Sequence, residues 1–209
     1  MAPVTPPPGV ELPDQLGDID IYLFDQLLRG RFDRRPRVLD AGCGDGRNLK
    51  YFLRQGFACF GIDRDADVIE HVRALAGELA PDLPPGNFRT GDVTQLPWQA
   101  ASMDAVVCSA VLHFAPDLAQ FDLMVEEMWR VLAPDGMLFA RLASNIGLEN
   151  AVGAAGRRVR LPDGSTRFVV DEAMLIERTG RLGGQLLDPI KTTNVQQQRC
   201  MTTWVVRKT

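Results

Sequence analysis

The sequence predicts an α/β chain, with helices on both faces of a mostly parallel sheet in a three-layer α/β/α sandwich. Three observations carry that expectation. Short apolar runs at 38–39, 57–62 and 104–109 alternate with amphipathic segments of helical period. The stretch RVLDAGCGDGRN (37–48) passes from an apolar strand through glycines at 42, 44 and 46 into a helical period at Leu49, Phe52 and Leu53. The run DAVVCS (104–109) is continuously apolar, as a central parallel strand must be when both its faces are covered.

Taken in order, residues 1–13 hold five prolines and exclude a helix or a central strand, so they read as a mobile tail. From Asp18, Ile21, Phe24, Leu27 and Leu28 recur at helical intervals and stop near Gly30. Residues 1–30 are thus a tail and leading helix ahead of a domain at 31–209. Pro36 suits a strand's first residue because it cannot donate to a ladder. The helix after the glycine turn runs to Gly56, and the second strand, 57–62, ends at Asp63. Asp65 caps a helix carrying Ile69, Val72, Leu75, Ala76 and Leu79. His71 lies exposed on it. A third short strand at 87–91 leads into Asp92 and Val93, and the fourth, 104–109, into AVLHFAPD.

Asp117 caps a helix whose stripe is Leu118, Phe121, Val125, Met128 and Leu132, widened by Met124 and Trp129. RVLAPDGMLFARL (130–142) reads as a helix end, a Pro-Asp-Gly turn and the fifth strand. An insertion near 144–170 contains a hairpin around Pro162, Asp163 and Gly164. A helix from Asp171 to about Gly180 and strands at 185–190 and 199–207 close the sheet.

With 209 residues, 45% of them apolar and 24% charged, the chain is one domain of ordinary size, or one with an appendage. A net charge of −4 argues against a nucleic-acid surface, and Arg157, Arg158, Arg160 and Arg167 read as a solvated hairpin face. Cysteines at 43, 59, 108 and 200 have no metal or CxxC spacing, which suits a reducing cytoplasm and no metal. No apolar run approaches the roughly 18 residues of a membrane span. The start lacks a signal peptide's charged and apolar regions.

The G-x-G-x-G spacing, with Asp40 on the preceding strand and Cys43 inside the loop, resembles the first motif of class I methyltransferases dependent on S-adenosylmethionine. The resemblance covers roughly residues 36–143 through motifs. It implies a Rossmann-like seven-stranded sheet with an antiparallel last strand, and a loop (Gly42, Cys43, Gly44) facing the cofactor's amino-acid moiety. Asp40 then sits beside an ammonium group. An acid ending the second strand, Asp63 with Arg64 beside it, suits vicinal ribose hydroxyls, the other reading being an N-cap aspartate. GDVTQLPW (91–98) matches the family's adenine segment, with Asp92 accepting from the amino group and the Val93 N–H facing the ring. Ser109, Ala110 and His113 fall at the carboxyl end of the fourth strand, where ligands bind in open α/β sheets.

The resemblance implies in-line methyl transfer from S-adenosylmethionine to a small-molecule acceptor, leaving S-adenosylhomocysteine, in a monomer or homodimer. GCGDGRN, SAVLHF and the TTWVVRK ending look somewhat like the tellurite-resistance methyltransferases. An oxygen acceptor needs a base, and His113 is the histidine at the expected site; the alternative is a packed imidazole. The leading helix is either a lid over the cofactor or a cap on one sheet edge. Two other functions compete: an NAD(P)-dependent oxidoreductase, whose ribose Asp63 also suits, and a non-catalytic S-adenosylmethionine-binding regulator.

Overall fold

The computed structural model describes residues 16–148 and 156–209; the proline-rich stretch and residues 149–155 of the expected insertion lie outside them. The chain forms helices α1 (Ile21–Leu28), α2 (Lys50–Arg54), α3 (Ala66–Leu79), α4 (Leu118–Val131) and α5 (Glu172–Arg181). Strands β1 (Arg37–Ala41), β2 (Ala58–Asp63), β3 (Phe88–Thr90), β4 (Met103–Ser109) and β5 (Leu132–Ser144) precede the short hairpin β6 (Arg158–Arg160) and β7 (Thr166–Phe168). Strands β8 (Gly184–Leu186), β9 (Lys191–Val195) and β10 (Arg199–Lys208) follow. The main sheet has the order β3-β2-β1-β4-β5-β10-β8, with β9 also paired to β10. β1 to β5 run parallel and β10 antiparallel to β5.

Period-two alternation divides the strands between two cores. Val38, Val107, Phe139 and Val205 face the layer of α1, α2 and α3, with Phe52, Ile69 and Val72. Leu39, Val106, Leu138 and Trp204 face the layer of α4 and α5, with Phe121, Met128 and Leu175. The second layer also has polar ties: the buried Trp204 Nε1–H donates to Thr179 Oγ1 at 2.9 Å, and Arg178 Nε donates to Asp122 at 2.7 Å.

Three local expectations change. The leading helix, read as running from Asp18, begins at Ile21 and is capped by Asp20, whose carboxylate accepts from the Tyr22 N–H at 2.9 Å. The strand expected at 185–190 stops at Leu186, and β9 is a further strand along the same side of β10. The break between them places the buried Asp188 against α1, where it accepts from Gln26 at 2.9 Å and Arg31 at 2.7 Å. The Pro-Asp-Gly turn lies inside β5, where pairing with β4 jumps from Met103↔Leu132 to Ala105↔Met137. Gly136 is obligatory there, since a Cβ would meet the Ala133 carbonyl at 2.7 Å.

Phe52 is fully buried and meets Phe32, Tyr51 and Phe57 with ring centroids 4.8, 5.6 and 5.2 Å away. Phe52→Ala is expected to destabilise the fold by about 3–5 kcal/mol in urea titration. A loss below about 1 kcal/mol would mean that this aromatic cluster does not hold α2 to the sheet.

Candidate functional site

β1 and β4 are neighbours although β2 and β3 lie between them in sequence, so the chain leaves β1 in opposite directions and opens a crevice at the strands' carboxyl ends. A cleft of about 750 Å³ occupies that crevice. Its floor is the glycine turn. Gly42 and Cys43 both donate to the Ile62 carbonyl, at 2.8 and 3.0 Å, tying the turn to β2. Gly42 has φ +82°, and a Cβ on it would lie 2.4 Å from Val111 Cγ2. Gly44 differs, with φ +50° and nothing within 4 Å of a would-be Cβ, so this part of the loop leaves space for a ligand.

Of the expected cofactor residues, Gly42, Cys43, Gly44, Asp63, Arg64, Val93, Ser109 and Ala110 line this cleft. Asp63 is engaged with the loop itself: Oδ2 accepts from the Gly44 N–H at 3.0 Å and Oδ1 from the Asp65 N–H at 3.1 Å. Each oxygen keeps a lone pair for another donor. The cap of α3 is Asp65, whose carboxylate accepts from the Asp67 N–H.

Asp40 and Asp92 stand outside the lining. Asp40 is buried beneath the loop with neither carboxylate oxygen hydrogen-bonded. Burial pushes its pKa to about 8, with Arg47 opposing and Asp63 and Asp45 adding to the rise. Asp92 flanks the cleft between Gly91 and Val93; it accepts from the Thr94 N–H and hydroxyl, both at 2.8 Å, and pairs with Arg64 at 2.6 Å. Cys43 is buried, and burial followed by the fields of Asp40 and Asp63 raises its thiol pKa far above the ordinary value.

His113 lies in a second cleft of about 340 Å³, under the β6–β7 hairpin. The two clefts share Ala110 and Phe114. The imidazole is 6% exposed and its Nδ1 has no partner. Burial, reinforced by Arg167, pushes its pKa down to about 4, so it is neutral at physiological pH. Ala110, at the ridge between the clefts, has φ +64°, a strained conformation for a residue with a Cβ. The arginines expected on a solvated face do not all stay there. Arg158 donates to the Ala115 carbonyl at 3.1 Å beside the main cleft, and Arg167 covers the Phe114 ring at 4.8 Å.

Sequence reasoning missed the acid that joins these parts. Asp20 accepts from Ser109 Oγ at 3.1 Å and Arg141 Nη1 at 2.9 Å, with Arg47 Nη2 at 3.9 Å, while its N–H donates to Asn48 Oδ1 at 3.0 Å. Arg47 and Asn48 belong to the glycine motif, so α1 is bound directly to the cleft. Among the described residues no cluster of three His, Cys, Asp or Glu suits a metal, and no helix is long and apolar enough to cross a membrane.

Residues 39–140 match a family profile described as a methyltransferase domain. A Mycolicibacterium smegmatis protein named "Probable S-adenosylmethionine-dependent methyltransferase" is 34% identical over 109 residues, 52% of this chain and 38% of that protein. Malonyl-[acyl-carrier protein] O-methyltransferase of Erwinia billingiae is 29% identical over 139 residues, 66% of this chain and 51% of that enzyme. The chain thus spans about half or less of the length of these curated relatives. The fold is similar to that of Burkholderia thailandensis 1,6-didemethyltoxoflavin-N1-methyltransferase, solved with 1,6-didemethyltoxoflavin and S-adenosylhomocysteine (TM-score 0.66, 22% identity, 88% of this chain and 75% of that one).

The Asp40 carboxyl has a consequence for the ligand-free protein. The folded group keeps its proton to about pH 8, while the unfolded one releases it near 3.8, so its stabilising effect is complete below 3.8 and disappears as pH rises through 8. His113 acts oppositely, its effect being complete above 6.5 and falling away towards 4. Between these limits, from about pH 6.5 to 8, unfolding free energy is expected to drop by about 1–2 kcal/mol through Asp40. Asp40→Asn should abolish that slope in urea titrations; an unchanged slope would mean that Asp40 is ionised in the fold.

Proposed function

We propose that the chain is a class I S-adenosylmethionine-dependent methyltransferase and that it transfers a methyl group from S-adenosylmethionine to a small-molecule acceptor, a reading supported by the methyltransferase-domain profile over residues 39–140 and by the methyltransferase relatives. The observation that carries this reading is the pair of strand-end acids at the glycine loop. The buried Asp40 carboxyl, protonated and without a hydrogen-bond partner, gives up its proton to become the counter-charge when an ammonium group binds beside it, and Asp63 retains acceptor capacity for two hydroxyls. The cofactor supplies a methyl group already activated on a sulfonium.

The protein's own work is placement and exclusion of water. Gly42, Cys43 and Gly44 form the floor, Asp63 with Arg64 receives the ribose end, and Asp92 with the Val93 N–H receives the base. To do so, Asp92 must share its carboxylate with Thr94 and exchange its contact with Arg64. Ser109 and Ala110 separate this end from the cleft of His113, where the acceptor binds. The neutral imidazole is available as a proton acceptor there. Because its pKa is near 4, methyl transfer should show no His113 ionisation between about pH 6 and 9, and His113→Gln should alter the rate without altering the pH profile.

Titration calorimetry with S-adenosylhomocysteine and NAD in parallel tests the cofactor; heat with NAD alone would favour the oxidoreductase. Asp63→Ala removes acceptors worth about 1.5–3 kcal/mol each when charge-assisted, so S-adenosylhomocysteine binding should weaken by well over tenfold. Wild-type affinity in that variant would remove Asp63 from the ribose site. We also propose that the leading segment closes on the bound cofactor, because Asp20 shares Ser109 with the cleft lining. Hydrogen exchange of residues 16–30 should slow on S-adenosylhomocysteine binding, and unchanged exchange would leave α1 a structural cap.

A further inference from the structure

We propose that the cleft under the β6–β7 hairpin selects acceptors carrying a carboxylate or phosphate group, held by Arg167, Arg199 and Arg141 beside His113. This deepens the methyl-transfer reading and rests on it. Three arginines and one acid, Asp163, line this cleft. Asp163 accepts from the Ser165 N–H at 2.9 Å and the Ser165 hydroxyl at 2.6 Å and lies in the field of Arg199 and Arg167, so the cleft's arginines outnumber its one carboxylate without being cancelled by it. Among the described residues neither Arg167 nor Arg199 has a carboxylate within ion-pairing distance. Among the described residues the Arg167 side chain donates to the Thr166 carbonyl and lies over Phe114.

The deep wall carries a second, independent sign of a missing partner. His113 is nine-tenths buried with Nδ1 unpartnered, and Arg141 Nε is likewise buried without a partner while Nη1 holds Asp20. Unmatched buried donors and acceptors are costly, and a rotation of these side chains towards a ligand in the cleft recovers that cost. An oxyanion has the complementary chemistry, since guanidinium groups match carboxylate and phosphate oxygens in fixed, often bidentate geometry. The imidazole stays neutral beside Arg167, so it adds a hydrogen-bonding group without a further charge. The volume of about 340 Å³ suits a small molecule, and the shared Ala110 and Phe114 let one end rest here while the reacting atom reaches the main cleft.

The test titrates the full chain, preloaded with S-adenosylhomocysteine, with benzoate, phenyl phosphate and the uncharged benzamide, followed by protein NMR. Probes of this size are expected to bind at about millimolar concentration. The proposal requires benzoate or phenyl phosphate to shift resonances of the hairpin and of His113, more weakly as salt rises, with benzamide silent. Whichever anion binds more tightly assigns the group. Arg167→Gln with Arg199→Gln should weaken that binding at least tenfold while S-adenosylhomocysteine binds as in wild type. Arg167→Lys with Arg199→Lys, keeping the charges, should recover part of it and so separate recognition from a folding defect. Equal binding of benzamide, no anion binding, or no effect of the Gln pair would overturn the proposal. Failure of S-adenosylhomocysteine itself to bind would instead strike the methyl-transfer reading, and anion binding to the unloaded protein would still be measurable.

Discussion

The buried carboxylate of Asp20 is the constraint on which the site depends. It caps α1, holds Ser109 at the end of β4 and pairs with Arg141 on β5, while its backbone binds Asn48 of the glycine motif. Four segments distant in sequence therefore share one charge whose side chain is wholly removed from water. Burying an ion pair is costly unless geometry and additional hydrogen bonds are good, and here the second oxygen is satisfied by the helix N-terminus. Such a pair fixes position more than it adds stability. Arg141 is also covered by the Tyr22 ring at 4.7 Å, which limits its freedom further.

The two helix layers give that charge a rigid setting. Alternate residues of β1, β4, β5 and β10 pack in opposite directions, so neither core can shift without moving the sheet. The strand ends stay fixed relative to one another, and the acids, the glycine turn and Ala110 inherit that precision. The same logic explains the interrupted edge of β10. Asp188 sits where β8 stops and anchors α1 from its other end, so the leading helix is held by two buried acids.

Most of this architecture was legible because it is written locally. Glycine spacing, period-two runs and helical stripes place β1 to β4 and α3, α4 and α5 within a residue or two, whereas β5 begins before the Pro-Asp-Gly turn expected to precede it. Asp63, Ser109 and Ala110 are readable because strand ends mark the site in any open α/β sheet. Asp20 was not readable, since its partners Ser109 and Arg141 are 89 and 121 residues away and no periodicity links them. β9 was missed for a different reason: KTTNV has no apolar alternation, and an edge strand paired only to β10 does not need one. His113 was found by position, but its separation from the main cleft depends on the hairpin that covers it, whose placement is a tertiary matter.

Cys43 shows what the acidity of the loop does for reactivity. A thiolate in the same chamber as an alkylating donor competes with the intended nucleophile, because the ionised sulfur is the reactive form. Burial and the fields of Asp40 and Asp63 keep this sulfur protonated, so it serves as a soft, polarisable surface. With the donor proposed for this cleft, the arrangement protects the protein from alkylating itself. Chemical fidelity towards the acceptor then begins in the chamber's own wall, before any acceptor arrives.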